Sequence, residues 1–265
     1  MNAKRTRVRR GVPGKAPVVE LQARDYEVLE CLGRLGHLPS DLLAAHFWGS
    51  ATSDPAIRRL RRLLDARLVA VTLVGSRSCN MFSLTGRGLD ALVGQVGELE
   101  GVAVAEPIRA AASLRHRTLV NAMRLYLAAL ADAGHGTLLV WSGGRCAVAG
   151  DLGLAGQRIV PDGVAELQMQ RTRGFAVCEA DTGSEGVELK GKFAKYAAYF
   201  ATSARVGVQL WVAASGGDKR IETVAHWARE AGIGQRTRLF REGELYVRPA
   251  LAPVARLDRS GPVGP

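Results

Sequence analysis

Apolar residues recur at helical spacing through Ala23–Gly36, where Tyr26, Val28, Leu29, Leu32 and Leu35 form a stripe that ends at a glycine. Pro39-Ser40-Asp41 opens a second, short helix over Leu42–Phe47. Asp54 followed by Pro55 is an N-cap with proline at the first helical position, and the helix it starts runs to Arg67. Ile57, Leu60 and Leu64 are its predicted buried stripe, with Leu63 and Leu68 beside it. Two β-type runs, Leu68–Val74 and Asn80–Leu84, flank the polar Gly75-Ser76-Arg77-Ser78, and Thr85–Leu92 reads as a closing helix. From Pro107 the pattern changes to one long helix reaching about Ala133. Extended runs then follow at Thr137–Trp141, Arg145–Val148, Arg158–Leu167 and Gly174–Asp181. A helix over Val187–Ser203, an apolar strand Val206–Ala214, a helix Lys219–Ala231 and short β-like runs Thr237–Arg241 and Glu244–Val247 complete the order. A strand-helix-strand passage predicts parallel pairing and an α/β layer.

The first set of elements resembles a winged helix-turn-helix: three helices, a hairpin and a closing helix, with Arg61-Arg62-Leu63-Leu64-Asp65-Ala66-Arg67-Leu68-Val69 leading into the hairpin and Leu84-Thr85-x-x-Gly88 leaving it. Composition then sharpens the expectation. The net charge of +11 calls for a polyanionic partner, and four arginines within five residues of the third helix repel one another unless phosphates relieve them. The guanidinium fork suits both phosphate and the guanine edge. Ser53, Ala56, Arg58, Arg59 and Arg62 are therefore the expected DNA-facing positions of the helix, and Arg77 that of the hairpin tip. Residues 1–19, basic and with no acid before Glu20, read as a disordered arm, residues 95–106 as a linker within Gly94–Pro107, and 249–265 as a flexible tail. The domains expected are thus 20–94 and 107–248. Four scattered cysteines (Cys31, Cys79, Cys146, Cys178) without metal spacing read as small buried hydrophobes in a reducing compartment. No apolar run reaches the roughly eighteen residues that a membrane span needs, so the expectation is a cytoplasmic, nucleoid-associated protein.

The second set carries carboxylates. If Ile159–Leu167 and Phe175–Asp181 form a hairpin with its midpoint at 170–171, Asp162 falls opposite Glu179, and strand alternation puts Asp181 on the same face as Glu179. Three acids on one patch repel unless a cation or proton is shared, and such hard oxygens suit Mg²⁺ or Mn²⁺ acting on a phosphodiester. Pro161-Asp162 with Glu179-x-Asp181 resembles the PD-(D/E)XK nuclease motif, which implies a restriction-endonuclease-like α/β domain after the winged helix, in an α+β or α/β chain, with Asp162, Glu179 and Asp181 as catalytic and metal-binding residues. The departure is that Asp181 stands where that motif carries a lysine. Lys192 or Lys195, on one helical face with Tyr196 and Tyr199, could return the charge. Over residues 20–245 the chain also resembles the replication-relaxation family of plasmid and mobile-element proteins. The residues carrying this are His116 with Asn121, Pro161-Asp162-Gly163, Glu179-x-Asp181-x-Gly183-x-Glu185, and Lys192 followed by Tyr196. The resemblance implies a sequence-specific double-stranded DNA-binding protein, by analogy a homodimer, acting in replication, transfer or transcriptional control, with a non-catalytic nuclease-like domain. The alternative is a metal-dependent endonuclease targeted by its winged helix.

Overall fold

In the computed structural model the described residues are 7–9, 17–49, 54–74, 79–107, 111–131, 133, 137–143, 147–169, 172–183, 186–203 and 207–247. A three-residue strand β1 (Arg7–Arg9) pairs with the later hairpin, so part of the expected arm is a strand. Helix α1 (Ala23–Leu35) stops at Gly36, whose φ of 82° suits glycine and whose N–H reaches back to Leu32. After His37, the two residues of β2 (Leu38–Pro39) lie extended along the hairpin before α2 (Ser40–Trp48) and α3 (Asp54–Asp65). The hairpin itself is β3 (Val69–Val74) with β4 (Cys79–Leu84), and the sheet order is β1-β3-β4-β2.

The Leu84-Thr85-x-x-Gly88 pattern has a mechanical reason. Thr85 caps α4 (Gly86–Val96) by accepting from the Gly88 N–H at 3.0 Å, while its hydroxyl donates to the carbonyls of Arg67 and Leu68 at 2.7 and 2.9 Å. A Cβ on Gly88 would lie 2.0 Å from the Leu68 carbonyl oxygen, so only glycine lets α4 sit this close to the start of the hairpin.

Helix α3 faces the core through Ala56, Leu60 and Leu63, spaced i, i+4, i+7, and Leu64 is half-buried. Ile57, expected inside, lies on the outer face. The core takes the alanine because a small side chain there brings the helix backbone close to its neighbours, which rotates Ile57 outward by one residue's turn.

Helix α5 (Ala111–Leu130) leads into a five-stranded sheet of order β5-β6-β7-β8-β9. Its strands are β5 (Thr137–Gly143), β6 (Gly163–Met169), β7 (Thr172–Asp181), β8 (Val208–Ala214) and β9 (Thr237–Arg241). The first three run antiparallel, and β7, β8 and β9 are parallel, as the strand-helix-strand passages require. Between β5 and β6 come α6 (Ala147–Asp151) and a 3-10 turn, Leu154–Gln157. An extended run was expected through Val148. Within the described residues this segment is helical instead, as suits its alanines. Helix α7 (Gly186–Thr202) links β7 to β8, and α8 (Asp218–Glu230) links β8 to β9. The expected last strand, Glu244–Val247, is a 3-10 turn over Glu242–Tyr246, drawn in by Glu244 accepting from the Arg241 N–H at 2.9 Å.

Strand β7 is buried on both faces. Ala176, Cys178 and Ala180 join the core around α5, while Val177 joins the core beneath α7 and α8 with Leu189, Phe193 and Val212. The core around α5 continues without a break into α1, α2 and the hairpin, through Leu119, Ala122 and Met123. Asn121, buried on α5, donates to the Leu35 carbonyl at the end of α1 (3.0 Å). Within 95–106, the expected linker, Ala103 donates to the Gly33 carbonyl at 3.1 Å, and Val102 packs on Gly33 where a Cβ would collide with it. Of the cysteines, Cys178 is buried and Cys31 half-buried, both as free thiols; the side chains of Cys79 and Cys146 lie outside the described set. Among the described residues no helix is long and apolar enough to cross a membrane.

Candidate functional site

On α3, Arg58, Arg61 and Arg62 are exposed, and their spacing places all three on the outward side of the helix. Arg59 turns the other way. Its Nε donates to Asp25 Oδ1 at 2.8 Å, Nη2 pairs with the second Asp25 oxygen, and the same nitrogen donates to the Glu20 carbonyl at 2.7 Å. Asp25 is only 1% exposed and also accepts from the Gln22 N–H that opens α1, so Arg59 clamps α3 to the first turn of α1. Burial lowers the Arg59 guanidinium's basicity, but the Asp25 hydrogen bond and charge outweigh it and the net direction is up. Ala56 is wholly buried. Of the residues expected to face DNA, the fold therefore engages Ala56 and Arg59 internally and leaves Arg58 and Arg62 outside, joined by Arg61. Ser53 and Arg77 lie outside the described residues.

The second cluster stands where β6 begins and β7 ends. Met169 pairs with Thr172 and Gly163 with Cys178, and the Asp162 N–H donates to the Cys178 carbonyl at 3.0 Å, so Asp162 lies beside Glu179 as the hairpin count requires. A Cβ on Gly163 would meet the Trp141 indole at 2.5 Å, so the glycine after Asp162 lets β5 and β6 close here. Asp162 Oδ2 accepts from the Ala180 N–H (2.8 Å) and lies 3.1 Å from His116 Nε2, which α5 brings to the site. Burial would raise the Asp162 carboxyl, yet these two hydrogen bonds and the Lys192 charge hold it below its ordinary value.

Glu179, 1% exposed, is gripped at both oxygens: Lys192 Nζ donates to Oε2 at 2.7 Å and the Tyr196 hydroxyl to Oε1 at 2.6 Å. Lys192 and Tyr196 are four residues apart on α7, hence on one face. Burial and the adjacent Asp162 push the Glu179 carboxyl up to about 7, against the opposing pull of Lys192 and Tyr196. Burial lowers Lys192, but Glu179 more than restores it, and Tyr196 rises far above its ordinary range through burial and the Glu179 charge.

Asp181 does share the Glu179 face, and both line a shallow recess with Ala180, Glu188, Leu189 and Lys192. Its oxygens, however, accept a two-pronged hydrogen bond from Arg220 on α8 (2.5 and 2.8 Å) and one from the Gly183 N–H (2.9 Å). The Arg220 guanidinium also lies 5.0 Å from the Trp227 ring centroid. Each acid thus has a base from a different helix: His116 from α5, Lys192 from α7, Arg220 from α8. Asp181, an acid where the resembled motif would carry a lysine, is thus held by an arginine. The pattern Lys192-x-x-x-Tyr196 signals the Glu179 contacts in sequence, whereas nothing near Asp181 in the chain announces Arg220. Lys195 instead reaches the Arg158 carbonyl at 3.5 Å. Glu185 lies outside the described residues.

The oxygens offer a test of the expected Mg²⁺ or Mn²⁺ site. Both oxygens of Glu179 and both of Asp181 accept hydrogen bonds from protein donors, and among the described residues no three His, Cys, Asp or Glu side chains are grouped to hold a metal ion. As arranged, this set does not fit such an ion.

A family model described as replication-relaxation matches residues 29–208, from within α1 to the start of β8. That is more than half of the chain, and the chain belongs to the replication-relaxation family. Comparison with curated proteins and with solved structures returns no match.

Proposed function

We propose that the chain is a sequence-specific double-stranded DNA-binding protein acting in the replication, transfer or transcriptional control of a plasmid or other mobile element. The family supports the replication setting. The observation that carries the DNA-binding part is the outward arginine face of α3, Arg58, Arg61 and Arg62, on a helix fixed from behind by the buried Asp25–Arg59 clamp. In this reading residues 20–94 act as a winged helix, α3 enters the major groove, and the fork-shaped side chains meet phosphates and guanine edges. The sheet domain acts as a restriction-endonuclease-like body without catalysis, its acids paired with His116, Lys192 and Arg220. Binding to a duplex should weaken with salt at a log–log slope of about −3 or steeper, and each of Arg58→Ala, Arg61→Ala and Arg62→Ala should reduce that slope by about 1. A salt-independent affinity, or variants that bind like the parent, would overturn this reading.

A second reading has its own support. Glu179 titrates at about 7 beneath Lys192, whose side chain is 20% exposed, which suits proton transfer beside a phosphodiester. Nicking of supercoiled plasmid, with or without Mn²⁺, that disappears in both Glu179→Gln and Lys192→Ala would establish it. Intact plasmid under all conditions would remove it.

A further inference from the structure

Ile57 is the odd residue on the outer face of α3. It is 36% exposed, next to exposed Arg58 and one turn before exposed Arg61, near the N-terminal end of the helix. The core does not use it, because Ala56, Leu60 and Leu63 fill the inward positions. A large β-branched apolar side chain among arginines gains nothing from water and lowers helix propensity slightly. On a helix lying in a major groove, this position near the N-terminus faces base edges rather than phosphates. The apolar feature available on a base edge is the C5-methyl of thymine, which no other base of DNA carries and which aliphatic side chains contact.

We propose that Ile57 is a specificity-determining residue that reads a thymine methyl group, while Arg58 and Arg61 beside it hold the phosphate backbone or a guanine edge. This rests on α3 being the DNA-binding helix. The apolar contact selects the base, and the arginines supply most of the affinity.

The test uses the full chain and a duplex it selects from a random-sequence library. That duplex is remade with deoxyuridine for thymidine at each position in turn, which deletes only the methyl. The parent protein should lose about three- to tenfold in affinity at one thymine position, and Ile57→Ala, in an exposed helical site that alanine suits, should bind the two duplexes equally. Equal losses in parent and Ile57→Ala would mean that another residue reads the methyl and would overturn the proposal, as would a parent indifferent to the substitution everywhere. In both cases selective, salt-dependent duplex binding would leave the DNA-binding reading standing. A library that yields no preferred duplex would instead remove that reading, and this proposal with it.

Discussion

Burial makes the Glu179 carboxyl harder to ionise than an exposed glutamate. Burial and the facing Asp162 raise its carboxyl from 4.5 to about 7, so between those values the folded chain binds more protons at this residue than the unfolded chain does. The stability this group contributes is therefore fully present below pH 4.5 and is lost as pH rises through about 7, a change on the order of 3 kcal/mol at most. Asp162 acts in the opposite sense. Its lowered carboxyl contributes stability above its ordinary value, lost only as pH falls through the lower folded one. Denaturant titrations at pH 5 and pH 8 should show Glu179→Gln flattening the decline between the two, and an unchanged decline would assign it to other groups. The pairing of Asp162 with Glu179 could be read from sequence because a tight hairpin fixes register by counting from its midpoint. The fate of Asp181 could not, since Arg220 lies 39 residues away and reaches it through the packing of α8.

At the scale of the element, α3 separates holding from reaching. Arg59 and Arg58 are neighbours in sequence, yet one is fastened to a carboxylate that is 1% exposed and the other stands in solvent. Removing one partner of a buried pair strands the other charge, so Arg59→Ala should destabilise the fold by about 3 kcal/mol, while Arg58→Ala should stay within about 0.5 kcal/mol. Chemical denaturation of the two variants checks this, and equal losses would show that the clamp carries no more than a surface arginine. The helix was plain in its spacing, its Asp54-Pro55 start and its charge. Its orientation was less so, because Ala56 and Ile57 both extend an i, i+3, i+4 pattern and apolar size favours the wrong one. Nor does the sequence distinguish Arg59 from its neighbours, for the buried Asp25 that claims it sits on α1.

Across the whole molecule, α5 has two partners. Leu119 and Met123 belong to one continuous core that takes in Leu29, Leu32 and Leu63 from the first half and Ala176, Cys178 and Trp211 from the sheet. The stretch after α4 reads in sequence as a linker between two patterned regions. In the fold its Val102 and Ala103 lie against Gly33, a contact open only because residue 33 has no side chain. The arginine-bearing helix α3 and the acid–base cluster are thereby fixed to one frame, with His116 and Asn121 on the same helix serving the cluster and the α1 end respectively. Such a core should melt as one unit. Calorimetry of the full chain should give a single transition, and Leu119→Ala, at a position 1% exposed, should shift all of it downward by about 2–5 kcal/mol of stability. Two transitions, only one of them moved by the substitution, would mean that the halves fold separately and that α5 merely touches the first.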